Sequence, residues 1–331
     1  MSAPTLDVVG IGNAIVDVLA NADDAFLETE GLPKGAMTLI DADRAEALYK
    51  LMGSAIEASG GSVGNSMAGI ASLGGKGAYI GKVRNDQLGE VFRHDLTAIG
   101  VQFDTPAATT GPATARCLIL VTPDAQRTMN TFLGACVDLG PEDIDEKLIA
   151  SAQVTYLEGY LFDPPRAKEA FRKASTLAHA AGRKVALSLS DPFVVNRHRA
   201  EMQELVKGHI DILFANEAEI CALYETEDFA KAAAAVRGHC EIAALTLSAK
   251  GSVVVTASGI ETVPPAPVDR VVDTTGAGDL FAAGFLYGLT HGRDLLNCGK
   301  LGSLCAAEVI SHFGARPARS LAELAREAKL A

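Results

Sequence analysis

Asp273-Thr274-Thr275-Gly276-Ala277-Gly278-Asp279 is preceded by Arg270-Val271-Val272 and followed by the apolar run Leu280-Phe281-Ala282-Ala283-Gly284-Phe285-Leu286. That order predicts a strand, a tight glycine turn and a helix N-terminus. Such a turn aims several backbone N–H groups at one point, and the helix dipole adds partial positive charge there. It is a place for an anion. Asp279 sets a carboxylate beside it, which is odd unless a third group needs both. Simple capping of the helix is the plainer reading of Asp279, and the glycines on its N-terminal side count against it.

The chain before this stretch alternates. Strands are expected at 6–12, 78–81, 153–158, 184–190, 210–215, 242–247 and 252–256. Helices are expected at 43–57, 67–73, 86–99, 141–150, 165–182, 197–207, 217–224 and 228–238, then near 279–291, 294–312 and 320–329. Strands separated by helices argue for an α/β fold with a doubly wound, mostly parallel sheet flanked by helices. The alternation breaks between 101 and 133. There Arg116 to Thr122, a turn at Pro123-Asp124-Ala125 and Gln126 to Leu133 read as a β-hairpin lying off the main sheet.

In such a sheet, ligands bind outside the carboxyl ends of the strands. Asn13 and Asp17 follow the first strand. Gly60-Gly61-Ser62 opens a helix, with Ser62 as its cap. Asn216 follows another strand, with Glu219 at capping-box spacing. These groups can converge on one edge with Asp279. Phosphoryl transfer to a hydroxyl needs positioning and charge stabilisation more than covalent chemistry. N–H groups of Gly276, Ala277 and Gly278 would hold the transferring phosphoryl. Asp279, kept ionised by the helix N-terminus, would be a modest base. Asn13 and Asp17 suit sugar-type hydroxyls. Asn216 and Glu219 read either as a plain capping box or as a water-mediated Mg²⁺ and phosphate site. Arg127 reads either as a solvated edge residue or as a phosphate contact brought in by the hairpin.

Composition bounds the alternatives. The chain has 331 residues, 48% hydrophobic and 21% charged, which suits one large domain with a smaller appendage. A net charge of −12 argues against nucleic acid or an anionic membrane as a main partner. No apolar run is long enough to cross a bilayer. The start Met1-Ser2-Ala3-Pro4 has no signal-like pattern. Cys117, Cys136, Cys221, Cys240, Cys298 and Cys305 form no C-x-x-C pair and read as core thiols. A cytoplasmic location is expected. The chain contains no Walker A loop, and Gly10-Ile11-Gly12 lacks the third glycine of a dinucleotide fingerprint.

The sequence resembles the ribokinase (PfkB) family of carbohydrate and nucleoside kinases from about residue 6 to 316. The stretch 273–279 resembles the family signature D-T-x-G-A-G-D, Asn216-x-x-Glu219 its N-x-x-E motif, and Gly60-Gly61 its di-glycine. Asn13-x-x-x-Asp17 and Gly60-Gly61-Ser62-Val63-Gly64-Asn65-Ser66 are similar to the adenosine-kinase subgroup. Ser188 stands where that subgroup tends to carry Asn. The resemblance implies a ribokinase-like fold with a small β-sheet lid. The large α/β domain would take about 6–13, 42–100 and 134–331, and the lid about 14–41 and 101–133.

The resemblance also implies ATP and Mg²⁺, and leaves a monovalent cation open. Asp279, Gly276, Ala277 and Gly278 would be catalytic. Asn13, Asp17, Leu39, Gly60, Gly61, Ser62, Asn65, Leu133 and Tyr160 would hold the acceptor. Arg127, Ser188, Asn216, Thr246, Gly251 and Thr275 would hold ATP, with Glu219 on Mg²⁺ through water. The acceptor would be a nucleoside, adenosine first, or else a free sugar such as fructose or ribose. A non-catalytic nucleoside or nucleotide sensor is the rival from another class. The partners are then the small-molecule acceptor and ATP, with no nucleic acid and no membrane. The chain would be a monomer or a homodimer through the lid.

Overall fold

The computed structural model describes residues 3–124 and 126–330; Ala125, in the expected hairpin turn, lies outside them. In chain order the strands are β1 (Leu6–Ile11), β2 (Ile15–Asn21), β3 (Met37–Leu39), β4 (Ala55–Ser59), β5 (Gly77–Ile80), β6 (Ala115–Val121), β7 (Arg127–Phe132), β8 (Ala152–Glu158), β9 (Lys184–Ser188), β10 (Ile212–Asn216), β11 (Ile242–Thr246), β12 (Ser252–Thr256) and β13 (Gly259–Val263). The α-helices are α1 (Asp24–Thr29), α2 (Ala42–Leu51), α3 (Ser62–Ser72), α4 (Gln87–Ala98), α5 (Glu146–Ser151), α6 (Pro165–Ala180), α7 (Pro192–His209), α8 (Glu217–Leu223), α9 (Phe229–Val236), α10 (Ala277–Thr290), α11 (Leu295–Val309) and α12 (Leu321–Glu327).

Eight strands form the large sheet, in the order β13-β12-β11-β10-β9-β8-β1-β5. From β5 to β11 all pairs are parallel; β12 and β13 fold back antiparallel at one edge. Parallel strands buried on both faces need helices on both. Side-chain alternation supplies the two faces. Val9, Ile11, Leu157, Leu187, Leu213 and Leu245 pack in one cluster with Phe171 of α6 and Val206 of α7. Val8, Tyr156, Ala186, Phe214 and Ala244 pack in the other, with Met67 of α3, Phe285 of α10 and Leu301 of α11. A one-residue slip would exchange the faces, so the register is strongly specified.

The strand order reverses at β1, and in sheets of this kind ligands bind outside the carboxyl ends at such a point. That edge carries Thr246 on β11, Asn216 on β10, Ser188 on β9, Glu158 on β8 and, just past β1, Asn13. The second sheet has the order β3-β7-β6-β2-β4. The β6–β7 hairpin lies in it, off the main sheet, as the broken alternation predicts. Val18, Leu27, Leu48, Leu118 and Leu120 give this sheet its own small core.

Several elements differ from the sequence expectation. The helix read over 43–57 ends at Leu51, and 55–59 is β4, paired antiparallel with β2. Gly53 and Ser54 interrupt the helix, and the open edge of β2 captures the next five residues; tertiary pairing overrides a weak periodicity. No strand forms at 270–272. The N–H groups of Val272 and Asp273 both donate to Ile310 O (2.8 and 3.3 Å), and no strand runs alongside. β-type composition without an edge to pair is not enough. The stretch 141–150 splits into a 3₁₀ turn (Pro141–Asp143) and α5, because Asp143 bonds back to Gly140 N–H and Asp145 caps a new helix. α7 begins at Pro192 behind Asp191, whose side chain accepts from Phe193 N–H; a kink at His198 lies where the helix was expected to start. β13 was not foreseen.

Candidate active site

Gly276 is the N-cap of α10 at φ 79°, and a Cβ there would sit 2.8 Å from Ala315 O. Only glycine fits both demands. The turn is tightened by Ala277 N–H donating to Thr274 O (3.2 Å). The N–H groups of Gly276, Gly278 and Asp279 have no acceptor among the described residues. Three free donors at a helix start make an anion site. The expected donor Ala277 is partly committed to the turn, and Asp279 N–H stands free in addition.

The Asp279 carboxylate is gripped by α3. Ser62 Oγ donates to Oδ1 (2.6 Å) and Asn65 Nδ2 to Oδ2 (3.0 Å), while Ser66 Oγ donates to the Asp279 carbonyl (3.0 Å). The expected cap role of Ser62 is not met. Gly61 is the N-cap of α3, and Ser62, its first residue, spends its hydroxyl on a partner 217 residues away. Nor does the helix N-terminus keep Asp279 an ordinary weak base. Burial raises its pKa to about 6, against the lowering effect of the Ser62 and Asn65 hydrogen bonds. Desolvation wins, and a carboxylate near 6 is a better base at neutral pH than one near 4.

Asp17 points from β2 against Gly60, where a Cβ would lie 2.5 Å from Oδ2. Burial pushes its pKa to about 7, with Arg316 and then Arg127 pulling it down and Asp279 pushing it up. No donor among the described residues bonds its carboxylate. Asn13 is buried and donates to Glu158 Oε1 (2.7 Å); Glu158 Oε2 accepts from Val63 N–H (3.0 Å). Glu158 thus joins the end of β1 to the first turn of α3. It is 1% exposed, and burial raises its pKa to about 7. A largely apolar cavity of about 260 Å³ is lined by Leu39, Ile40, Pro112, Phe132, Leu133 and Val137 among others.

The remaining expected residues divide. Asn216 and Thr246 stand in register on adjacent parallel strands, and Ser188 on the next strand is opposite Phe214, two residues before Asn216. Asn216 and Glu219 do form a capping box: Asn216 N–H and Nδ2 donate to the two Glu219 oxygens (2.9 and 2.7 Å), and Asn216 Oδ1 accepts from Glu219 N–H. Burial raises Glu219 to about 7, and the charges of Asp191 and Asp279 add to this. Tyr160 follows β8, within electrostatic reach of Asp191, Asp279, Glu219 and Glu158. Gly251 stands just before β12 at φ 88°, its carbonyl accepting from Leu247 N–H (2.7 Å). Arg127 is not a solvated edge residue. Its side chain is 8% exposed, with Nη2 2.5 Å from Asp273 Oδ2 and Nη1 donating to Thr275 Oγ1 (3.3 Å). The small sheet therefore reaches onto the glycine turn before α10. Asp273 also accepts from Thr275 N–H, Thr275 Oγ1 and Gly314 N–H (3.0, 2.7 and 3.1 Å).

Residues 36–321 match the pfkB family carbohydrate kinases. The chain belongs to that family. A pfkB kinase is a phosphotransferase with an alcohol group as acceptor, and ATP use comes with the family. An adenosine kinase of Saccharomyces cerevisiae is 27% identical over 95% of this chain and 96% of its own. The solved adenosine kinase of Sinorhizobium meliloti is 57% identical, with a TM-score of 0.91 over 98% of this chain and 99% of that one. A probable sugar kinase from Rhizobium etli CFN 42 is 51% identical, with a TM-score of 0.93 over 99% and 100%. Among the described residues no helix is long and apolar enough to cross a membrane.

Sequence reasoning missed Glu158 and Arg316 in this pfkB kinase. Glu158 left a signal, a charged residue closing the apolar strand Val154-Thr155-Tyr156-Leu157. Arg316 left none: it sits in an irregular loop, and only the folded chain shuts its Nε and Nη2 off from solvent.

Proposed function

We propose that this kinase transfers the γ-phosphoryl group of ATP to a primary hydroxyl of a nucleoside, adenosine first. The observation that carries the reading is the placement of Asp279. Its carboxylate, held by Ser62 and Asn65, stands at the start of α10 beside three uncommitted N–H groups. Asp279 would take the proton of the attacking hydroxyl while those N–H groups stabilise charge on the phosphoryl. Asp17, without a donor among the described residues, would accept two ribose hydroxyls, with Asn13, Gly60, Gly61 and Asn65 shaping the floor. The cavity by Leu39 and Leu133 suits the flat apolar face of a purine, with Tyr160 near Asp279.

Ser188, Asn216, Thr246, Gly251 and Thr275 would hold ATP along the strand edge, and Arg127 would meet its phosphates. Both Glu219 oxygens are engaged by Asn216, yet each keeps a free lone pair. That donor set fits Mg²⁺ held through water and not a cage of direct ligands. When bound, the ion would neutralise phosphate charge. The comparison with the Sinorhizobium meliloti adenosine kinase supports the nucleoside reading. A free sugar is the second reading, favoured by Asp17 and Glu158, whose polar floor suits any vicinal diol. Coupled-enzyme turnover with adenosine, other nucleosides, ribose and fructose tests it. Adenosine is expected to give the highest kcat/KM, with activity lost on Mg²⁺ chelation; turnover of sugars alone would overturn the nucleoside reading.

A further inference from the structure

We propose that Thr131 is a specificity-determining residue for the acceptor. Its hydroxyl oxygen, with its proton committed to Cys117, accepts a hydrogen bond from an N–H group on the base of a nucleoside whose ribose lies at Asp17. This rests on the reading that the acceptor is a nucleoside and that Asp17 receives its hydroxyls.

The two faces of the small sheet differ. Val18, Leu118 and Leu120 turn to one side and pack with Leu27 of α1 and Leu48 of α2. The residues between them turn to the other side. There Asp17 of β2 stands opposite Cys117 of β6, Cys117 opposite Thr131 of β7, and Thr131 opposite Leu39 of β3. These four residues form one row across four strands. Arg127, four residues before Thr131 on β7, shares this face, and its side chain reaches Asp273 and Thr275 at the glycine turn. The row's face is thus the one turned toward the start of α10.

The chemistry changes along the row. One end is the Asp17 carboxylate. At the other, Leu39 is half exposed, and Leu39 and Thr131 both line the apolar cavity. From β2 to β7 is two strand spacings, about 10 Å. A sugar ring held at Asp17 is too short to reach Thr131; a ribose that carries a base is long enough. Between the ends stand a thiol and a hydroxyl. Thr131 Oγ1 donates to Cys117 Sγ (3.3 Å). Burial pushes the Cys117 thiol up to about 12, so this partner is uncharged at neutral pH. A hydroxyl has one proton and two lone pairs. With the proton engaged, Thr131 meets a ligand as an acceptor only. An amino group on the base answers it. A base that offers ring-nitrogen lone pairs alone sets acceptor against acceptor and leaves Thr131 unpaired beneath it.

The test compares kcat/KM of the full chain, with ATP and Mg²⁺, for adenosine and for purine riboside. Purine riboside lacks the amino group and has no N–H on its base. Wild type is expected to favour adenosine about tenfold, the worth of one hydrogen bond between neutral groups. Thr131→Val keeps the shape and removes the oxygen; the preference is expected to fall to within about twofold, through a loss on adenosine. Thr131→Ser, which restores a hydroxyl, is expected to keep the preference. Cys117→Ala releases the Thr131 proton, which can then be donated to a ring nitrogen; the preference is expected to shrink through a gain on purine riboside. Equal kcat/KM for the two nucleosides in wild type overturns the proposal. So does a Val variant that keeps the full preference, or a Cys117→Ala variant that slows both nucleosides alike. If the Val variant does not fold, loss of the preference in Thr131→Ser overturns it equally. Turnover of sugars alone would remove the nucleoside reading and this inference with it. Both nucleosides used equally well would remove this inference and leave the nucleoside reading standing.

Discussion

Replacing Asp279 with Asn should stabilise the protein while it disables it. Burial lifts this carboxyl from 3.8 to about 6. The native state therefore binds the proton more tightly than the unfolded chain does. Its contribution to stability is complete below about pH 4 and is lost as pH rises through about 6. An amide mimics the protonated form and does not titrate. The shift is about two units, which sets a ceiling of about 3 kcal/mol; contact with the solvated crevice brings the expected gain to about 1–2 kcal/mol at pH 8. The site can accept the amide. Asn65 Oδ1 is buried without a partner among the described residues, so a 180° turn of the Asn65 amide lets it accept from the new NH₂ group. Ligand-free melts of wild type and Asp279→Asn at pH 4, 6 and 8 are the assay. The variant's Tm is expected to match wild type at pH 4 and exceed it by a few degrees at pH 8, while kcat falls at least about 10²-fold. A Tm gap that does not grow with pH, or a variant less stable at pH 8, would refute the claim that burial governs Asp279.

Gly60→Ala would place a Cβ 2.5–2.7 Å from the Asp17 carboxyl atoms. Steady-state kinetics should show acceptor KM raised at least about tenfold with ATP KM little changed. Glu158→Gln cannot serve both Asn13 Nδ2 and Val63 N–H, since one of its two positions becomes a donor. Denaturation should show a loss of about 1–3 kcal/mol, and acceptor KM should rise with it.

The large sheet was legible because its strands are short apolar runs bounded by helices, and the hairpin because it broke that rhythm. The convergence of Asn13, Asn216 and Asp279 on one edge could be inferred from where ligands bind in such sheets. What escaped depends on partners far along the chain. Ser62 looks like a cap because the local pattern says so; its real partner, Asp279, is invisible to any window. Residues 55–57 read as helix because nothing nearby announces the edge of β2 that captures 55–59. Arg270-Val271-Val272 has strand composition and no strand to pair with. The pKa of Asp279 was misjudged because the helix dipole can be read from sequence and burial cannot.

The contact of Arg127 with Asp273 has a consequence for thrift. The cation that would serve a phosphate belongs to the small sheet, and the chain supplies its counterion from the phosphate turn itself. A phosphate reaching that turn would meet a guanidinium already latched, and would have to share it with Asp273 or displace it. Its grip on the turn and any service to a phosphate would draw on the same guanidinium.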